Sequence, residues 1–153
     1  MVGGRIRGSQ QRVGIFVDVQ NMFYSAKALH QSKIDYSKLL LEIVGDRNLI
    51  RAIAYVVQKP DVDQSSFTDA LSRLGYEIKS KELRLRPDGT AKGDWDMGIA
   101  IDSIAIAPKL DTVVLVSGDR QFVPLVEMLK AQGCREEVVS FRRSTAIELI
   151  NAA

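Results

Sequence analysis

The sequence has very little cysteine and histidine, which limits the chemistry that it can support. Cys134 is the single cysteine and His30 the single histidine. One cysteine excludes an internal disulfide and a zinc site built from thiolates, and such a residue is most often a small buried hydrophobe. No partner pattern accompanies the histidine. Ser117 lacks the G-x-S-x-G context of a hydrolase nucleophile, so a serine hydrolase is disfavoured.

Long apolar runs and phosphate-binding signatures are absent as well. The longest strongly apolar stretches have six or seven residues, whereas a membrane-spanning helix needs roughly 20. No apolar signal core follows the N-terminus, so a cytoplasmic location is the default expectation. Neither a Walker A motif nor a G-x-G-x-x-G run occurs. Phosphate-transferring enzymes with D-x-D after their first strand are disfavoured because Gln20 occupies the second acidic position.

The composition is typical of a soluble globular chain. Hydrophobic residues make up 46% of the 153 positions and charged residues 26%. A chain of this length can bury a core, and it fits one domain. Residues 1–11, in which glycine, arginine, serine and glutamine predominate, predict a flexible basic arm, and residues 12–153 predict a single domain.

Positive charge is concentrated in two segments. The net charge is +2, but residues 1–12 and residues 79–92 each contribute +3, which leaves −4 for the rest of the chain. A basic margin beside an acidic pocket suits a metal-dependent enzyme that acts on a polyanion. The alternative is that the cations of a hairpin merely face solvent.

Strand and helix patterns alternate along the chain. Strand patterns cover residues 12–17, 49–57, 76–79, 112–116 and 137–141, and helical patterns cover 22–29, 35–44, 64–74, 95–106 and 121–132, with a short helix from 144 or 145. Residues 81–86, K-E-L-R-L-R, predict a half-exposed edge or hairpin. This alternation, with right-handed crossovers, predicts a three-layer α/β/α sandwich with a mostly parallel sheet of about five strands.

Two of the strand patterns end in a carboxylate, and a third acidic cluster lies between them. VGIFVDVQN places Asp18 after the first strand, DTVVLVSGD places Asp119 after a central one, and KGDWD places Asp96 at the head of a helix. The carboxyl ends of parallel strands border one crevice, so these three acids are expected to meet there. Clustered carboxylates raise one another's pKa unless a cation neutralises them, and hard oxygen ligands suit Mg²⁺ or Mn²⁺.

Helix capping is the competing explanation for these acids. Asp18 or Asn21 could cap the first helix, and the helix dipole favours Asp119 at the start of a later one. Either Asp94 or Asp96 could cap the helix that follows them. A cap needs one residue of each pair, so it leaves the second unexplained.

The helix after KGDWD adds two expectations. Met97, Ile99, Ala100 and Ile104 are expected to face inward. Asp102 lies six positions beyond Asp96, about 120° away around the helix, so it is expected to hold a neighbouring group and not the same ion. Trp95 is expected to be a core or wall residue.

Three blocks of the sequence together carry a family resemblance. They are GIFVDVQN at 14–21, KGDWDMGIAID at 92–102 and VVLVSGDRQFVPLVEMLKAQGC at 113–134. In this order the blocks resemble the NYN domain, a member of the PIN-like nuclease superfamily, and especially its LabA-like bacterial branch. The resemblance implies a PIN-like Rossmannoid fold and Mg²⁺- or Mn²⁺-dependent cleavage of RNA. By motif position, it implies catalytic and metal-binding roles for Asp18, Asp96 and Asp119, with Asn21 orienting Asp18. The supporting positions are Asn21, Asp94, Asp102, Ser117 and Gln121.

One position departs from the family pattern. The family usually has a second aspartate two residues after the first in the SGD block, and this chain has Gln121 there. An amide oxygen can coordinate an ion or hold a water but brings no charge, so a second ion would bind more weakly. One alternative is therefore a weak or inactive module that binds RNA or a partner protein. A third alternative, independent of Gln121, is a small-nucleotide phosphohydrolase that uses the same crevice.

Partner contacts can be predicted only in outline. Arg84, Arg86 and Lys92 are the candidates for RNA phosphates, and contacts of this kind select RNA by shape and single-strandedness and not by sequence. The helix face around Leu125, Met128 and Leu129 could bury against the sheet or against a second copy, so a homodimer is one of the two alternatives.

Overall fold

The computed structural model describes residues 11–30, 33–85, 87–88, 91–92 and 94–153, and at 30, 84, 85, 91 and 92 it describes the backbone alone. Most of the predicted basic arm, residues 1–10, lies outside this range, as does Arg86. Within the described residues, no helix is long and apolar enough to cross a membrane.

Five strands form one parallel sheet, and they are β1 Arg12–Asp18, β2 Asn48–Gln58, β3 Glu77–Glu82, β6 Thr112–Val116 and β7 Arg135–Val139. Their order across the sheet is β3-β2-β1-β6-β7. The helices are α1 Val19–His30, α2 Tyr36–Val44, α3 Ser65–Leu74, α4 Asp96–Ile106, α5 Val123–Ala131 and α6 Ile147–Ala152. A small antiparallel hairpin joins β4 Arg84–Leu85 to β5 Ala91–Lys92. The predicted α/β sandwich is confirmed.

β1 lies at the centre of the sheet because its residues are apolar on both faces. Val13, Ile15 and Val17 face a core formed with α1, α2 and α3, whereas Phe16 faces a second core formed with α4, α5 and α6. A strand buried on both faces is typical of a parallel sheet covered by helices. β2 and β6 pair with its two edges.

The strand order reverses between β1 and β6. The chain moves outward from β1 through β2 to β3, and later from β6 to β7 on the other side. Connections therefore leave the carboxyl ends of these two strands in opposite directions, which opens a crevice at the point where ligands bind in sheets of this type. Asp18 is the last residue of β1, and Asp119 lies three residues beyond the end of β6.

Several boundaries differ from the sequence predictions. The last strand is Arg135–Val139 and not 137–141, and the third runs to Glu82, so the K-E-L-R-L-R segment is shared between edge strand β3 and the hairpin. The predicted helix 121–132 opens as a 3-10 turn, with proline in the first turn of the α-helix that follows. Met97, expected inside, is 74% exposed, whereas Ile99 is buried. α4 is apolar on several sides, so its periodicity could not identify the buried face.

Candidate metal centre

Three elements bring the three predicted acids together. One carboxylate oxygen from each of Asp18, Asp96 and Asp119 lies within 4.8 Å of the other two. Asp18 is 7% exposed, and the other two are half-buried. Only oxygen ligands are offered, without sulfur or imidazole nitrogen. This set of donors fits a hard divalent cation such as Mg²⁺ or Mn²⁺.

Ser117 connects two of these acids. Its hydroxyl donates a hydrogen bond of 3.1 Å to Asp18 Oδ2 and accepts one of 3.2 Å from the backbone N–H of Asp119. The serine is fully buried. Val17 pairs with Val116 in the sheet, so Asp18 and Ser117 are the next residues along two adjacent strands. Ser117 therefore fixes the Asp18 carboxylate relative to the loop that carries Asp119.

Asn21 makes a second link across the same strands. Its backbone N–H donates to Asp18 Oδ1 at 3.2 Å, and its side-chain Oδ1 accepts the backbone N–H of Gly118 at 3.0 Å. The side chain that the resemblance assigned to orienting Asp18 thus holds the β6 loop, and the backbone makes the contact with Asp18. The Gly118 loop is tight, because a Cβ there would lie 2.9 Å from the carbonyl oxygen of Ser144.

Asp119 is a cap as well as a member of the cluster. Its Oδ1 accepts the backbone N–H of Gln121 at 2.9 Å at the start of the 3-10 turn. The Gln121 side chain is exposed. Capping and metal binding are therefore compatible here, since a carboxylate has a second oxygen.

The turn before α4 is built around Trp95. The indole Nε1 donates to the carbonyl oxygen of Val56 at 2.9 Å, and the ring lies 5.3 Å from the ring of Tyr55. Gly98 leaves room for this ring, because a Cβ at that position would lie 2.5 Å from Trp95 Cε3. Trp95 is thus a wall residue that fixes the direction in which its neighbour Asp96 leaves the turn.

Asp102 is not a member of the three-acid cluster and supports this wall. It accepts hydrogen bonds from the Tyr55 hydroxyl at 2.8 Å and from Lys79 Nζ at 2.7 Å. Burial, and then the hydrogen bond to Asp102, raise the pKa of Tyr55 far above its usual value. Asp94 is exposed, and its Oδ1 accepts the backbone N–H of Asp96 at 3.3 Å.

Burial and mutual repulsion disfavour the charged forms of two of the acids. Burial is the main cause that raises the pKa of Asp18 to about 6, against hydrogen bonds from Asn21 and Ser117 that lower it. For Asp96, burial is again the largest cause, followed by the charges of Asp119, Asp94 and Asp18, and the pKa rises to about 7. The charge of Lys81 opposes this rise. Without a cation, the cluster therefore holds protons near neutral pH.

These pKa shifts predict that the metal-free protein is less stable at pH 7.5 than at pH 5. The folded-state pKa values of Asp18 and Asp96, about 6 and 7, lie above their unfolded values. The contribution of these two acids to stability is therefore fully present below pH 4 and is lost as the pH rises through 7. For Asp18, a shift of about two units corresponds to roughly 3 kcal/mol. The pKa values of Asp63 and Asp111 are lowered, so these acids titrate below this window. Thermal denaturation in EDTA at both pH values measures the effect.

Added Mn²⁺ should remove this loss at pH 7.5, since a ligand that binds only the folded state stabilises it by RT ln(1 + [L]/Kd). A melting temperature that rises from pH 5 to pH 7.5 in EDTA would contradict the assignment of buried, proton-holding acids.

The predicted RNA contacts are only partly visible. Arg84 and Lys92 pair with each other in the hairpin, with side chains that are not described, and Arg86 lies outside the described residues. Of the helix face considered for a second copy, Leu125 and Leu129 are buried in the core, whereas Met128 is 47% exposed.

Lys81 is a site neighbour that the sequence did not reveal. The third strand was predicted to stop at 79, whereas β3 continues through Glu82 and carries Lys81 towards the acids. Alternation along K-S-K would have placed Lys79 and Lys81 on one face if the strand had been extended.

A large cavity lies on the side of the sheet that α1, α2 and α3 cover. A concave space of about 720 Å³ is lined mainly by apolar residues of α1, α2, α3 and the carboxyl end of β2. It starts beside the acid crevice at Val19 and Gln20, but none of the three acids lines it. The cluster of three acids is therefore not part of this cavity.

Comparisons with known proteins agree with the motif pattern. The family model of the NYN domain matches residues 12–153. The chain is 33% identical to the "Low amplitude and bright protein LabA" of Synechococcus elongatus, over 92% of this chain and 80% of that protein. A crystal structure of VPA0982, a protein of unknown function from Vibrio parahaemolyticus, superposes with a TM-score of 0.87 at 35% identity. This match covers 97% of the present chain and 93% of the other.

Proposed function

Because the chain belongs to the NYN domain family, we propose that it is a metal-dependent ribonuclease that hydrolyses RNA phosphodiester bonds at the crevice formed by Asp18, Asp96 and Asp119. The observation that carries this proposal is the meeting of the three carboxylates within 4.8 Å at the switch point of the sheet. Carboxylates that hold protons in the absence of an ion become strong ligands when Mg²⁺ or Mn²⁺ displaces those protons.

Residues of the chain supply position and charge in this reaction. A bound ion would act as a Lewis acid, which lowers the pKa of a water ligand and offsets charge on the leaving oxygen. Asp18 is held at both oxygens, by Ser117 and by the backbone of Asn21. A side-chain nucleophile is not required, and the Ser117 hydroxyl is buried against Asp18, so it is not available for attack.

The open position of the crevice favours a polymer over a free nucleotide. Asp96 and Asp119 are half-exposed, and the apolar cavity of about 720 Å³ is not part of the acid site. A single strand could lie across such an edge with its phosphates near the ion. Arg84, Arg86 and Lys92 are proposed to contact these phosphates from the hairpin side. The proposal includes a cytoplasmic location and allows a homodimer.

Cleavage of labelled single-stranded RNA tests the proposal. The unchanged chain should cleave with Mn²⁺ or Mg²⁺ and not in EDTA, and Asp119→Asn should cleave at least about 100-fold more slowly, because a direct ligand contributes more than the outer partners whose loss typically costs 10- to 100-fold. Asp69→Asn, which changes an exposed carboxylate on α3, is the matched control. Equal cleavage by all three proteins would indicate a contaminating nuclease.

A second candidate function is that of a regulatory module that binds RNA or a protein without cleavage. The exposed Gln121 favours it, since the uncharged amide stands where the family usually has an acid. Gln121→Asp separates the two candidates in the same assay. If the unchanged chain binds RNA without cleaving it and Gln121→Asp cleaves, the chain is a binding module that has lost a catalytic acid.

A further inference from the structure

We propose that Lys81 forms a phosphate-binding subsite beside the acid cluster, where it contacts the RNA phosphate next to the one being cleaved. This inference rests on the proposed function and adds a specific cation to it. Its support comes from the partners of Lys81, from the contrast with Lys79, and from the position of Lys81 relative to Asp96.

Lys81 is held by two neutral groups on the turn before α4. Its Nζ donates a hydrogen bond of 2.8 Å to the carbonyl oxygen of Asp94 and lies 4.2 Å from the centroid of the Trp95 ring. Both partners are neutral groups, so they orient the ammonium without cancelling its charge. Lys81 is also only half-exposed. A partly desolvated cation that lies over an aromatic ring is attracted to the face of that ring.

Lys81 differs from the other charged residues on its face of the edge strand β3. Alternate residues of a strand face the same side, so Glu77, Lys79 and Lys81 form one row on β3. Glu77 pairs with Arg51, and Lys79 pairs with Asp102 at 2.7 Å. Within the part of the chain that the structure describes, no carboxylate oxygen lies within 4 Å of Lys81 Nζ. Lys81 therefore lies at the end of a row of charge pairs, and its own positive charge remains available to bind an anion.

The positive charge of Lys81 lies next to the acid cluster. Lys81 is bonded to Asp94, two residues before Asp96, and its positive charge acts on the Asp96 carboxylate. A strand of RNA whose reacting phosphate lies at the three acids must lead its neighbouring phosphates past the rim of the crevice. A fixed cation there can hold one of them with little loss of side-chain entropy, because Trp95 already restricts the lysine.

Lys79 provides a matched control for the test. Lys81→Met removes the charge and keeps an apolar stem against Trp95. Lys79→Met removes a charge two residues earlier on the same face of β3. Lys81→Arg keeps the charge. Binding of a fluorescent 2′-O-methyl single strand is followed by anisotropy in Mg²⁺ from 50 to 200 mM salt, and a denaturing gel run after each titration shows that the strand is intact. One lost phosphate contact should reduce the slope of log K against log salt by about 0.7. We expect this reduction and several-fold weaker binding for Lys81→Met, and unchanged slopes for Lys79→Met and Lys81→Arg.

The outcomes distinguish failure of the Lys81 subsite from failure of the proposed ribonuclease function. Equal slopes for Lys81→Met and the unchanged chain would overturn the Lys81 subsite and leave the ribonuclease proposal in place. Failure of the unchanged chain to bind the strand would instead count against the proposed function. If both methionine variants lose the same slope, charge on this strand acts generally and the specific subsite is refuted. Melting temperatures of the variants show whether each one is folded.

Discussion

Asp18→Asn should reduce metal-dependent RNA cleavage by more than about 100-fold and should also stabilise the metal-free protein. The first effect follows because the asparagine offers one neutral oxygen in place of a charged pair, and loss of a partner outside the ligand shell already costs about 10- to 100-fold. The second follows because Asp18 is a buried acid with a pKa raised to about 6. Cleavage rates and thermal denaturation in EDTA at pH 7.5 measure the two effects.

This prediction is specific because the two effects have opposite signs, with cleavage falling while the stability of the metal-free protein rises. A gain of about 1–3 kcal/mol is expected from a pKa shift of about two units, whereas a variant that merely damages the fold loses both stability and activity. At pH 5, where Asp18 is largely protonated, the stability gain should shrink. Asp69→Asn, on an exposed surface of α3, should change neither quantity. A destabilised Asp18→Asn with normal cleavage would refute the acid site.

Gly98→Ala should lower both stability and cleavage, although alanine normally favours helices. A Cβ at 98 would lie 2.5 Å from Trp95 Cε3 and 2.9 Å from Cζ3. Because the indole is also bonded to Val56, the ring cannot move freely away. Overpacking of this kind costs about 1–3 kcal/mol, which exceeds the roughly 1 kcal/mol that alanine gains over glycine in a helix.

The loss of cleavage would arise at Asp96, which follows Trp95 directly in the chain. If the ring shifts, Asp96 leaves its place beside the other two acids, and a misplacement of about 1 Å can cost about 100-fold in rate. Urea denaturation and single-turnover cleavage measure the two losses. In the double variant with Trp95→Phe, the smaller ring should relieve the clash, so the two changes should be less than additive. Full additivity would mean that the contact with Trp95 is not the cause.

The sequence predicted the parts of the site that depend on the order of elements. An apolar run that ends in an acid identifies a strand and its carboxyl end, and parallel strands then bring Asp18 and Asp119 to one edge. The fold class follows from the same alternation. Neither inference requires the register of one strand against the next.

Features that depend on register could not be predicted. Ser117 meets Asp18 because Val17 lies opposite Val116, and a shift of one residue would turn the serine to the other face. The contact between Asn21 and Gly118 arises from the same pairing. Sequence patterns indicate which residues alternate along a strand, but they do not fix which residue lies opposite which.

Boundaries account for the remaining error. The sequence pattern predicts a third strand that ends at residue 79 and so does not place Lys81 at the site, whereas three further residues belong to β3. Met97 was placed inside because α4 is apolar on several sides, and only packing against the sheet decides that Ile99 is the buried residue.

The place of β6 in the sheet also constrains when the site can exist during synthesis. β1 pairs with β6, whose last residue is Val116, and Asp119 follows it, so more than three quarters of the 153 residues must be translated before the third acid is available. A ribosome-bound chain that has already folded its first three strands still lacks Ser117 to hold Asp18. A chain that stops before β6 therefore cannot bring the three acids together, even if its first three strands have already formed.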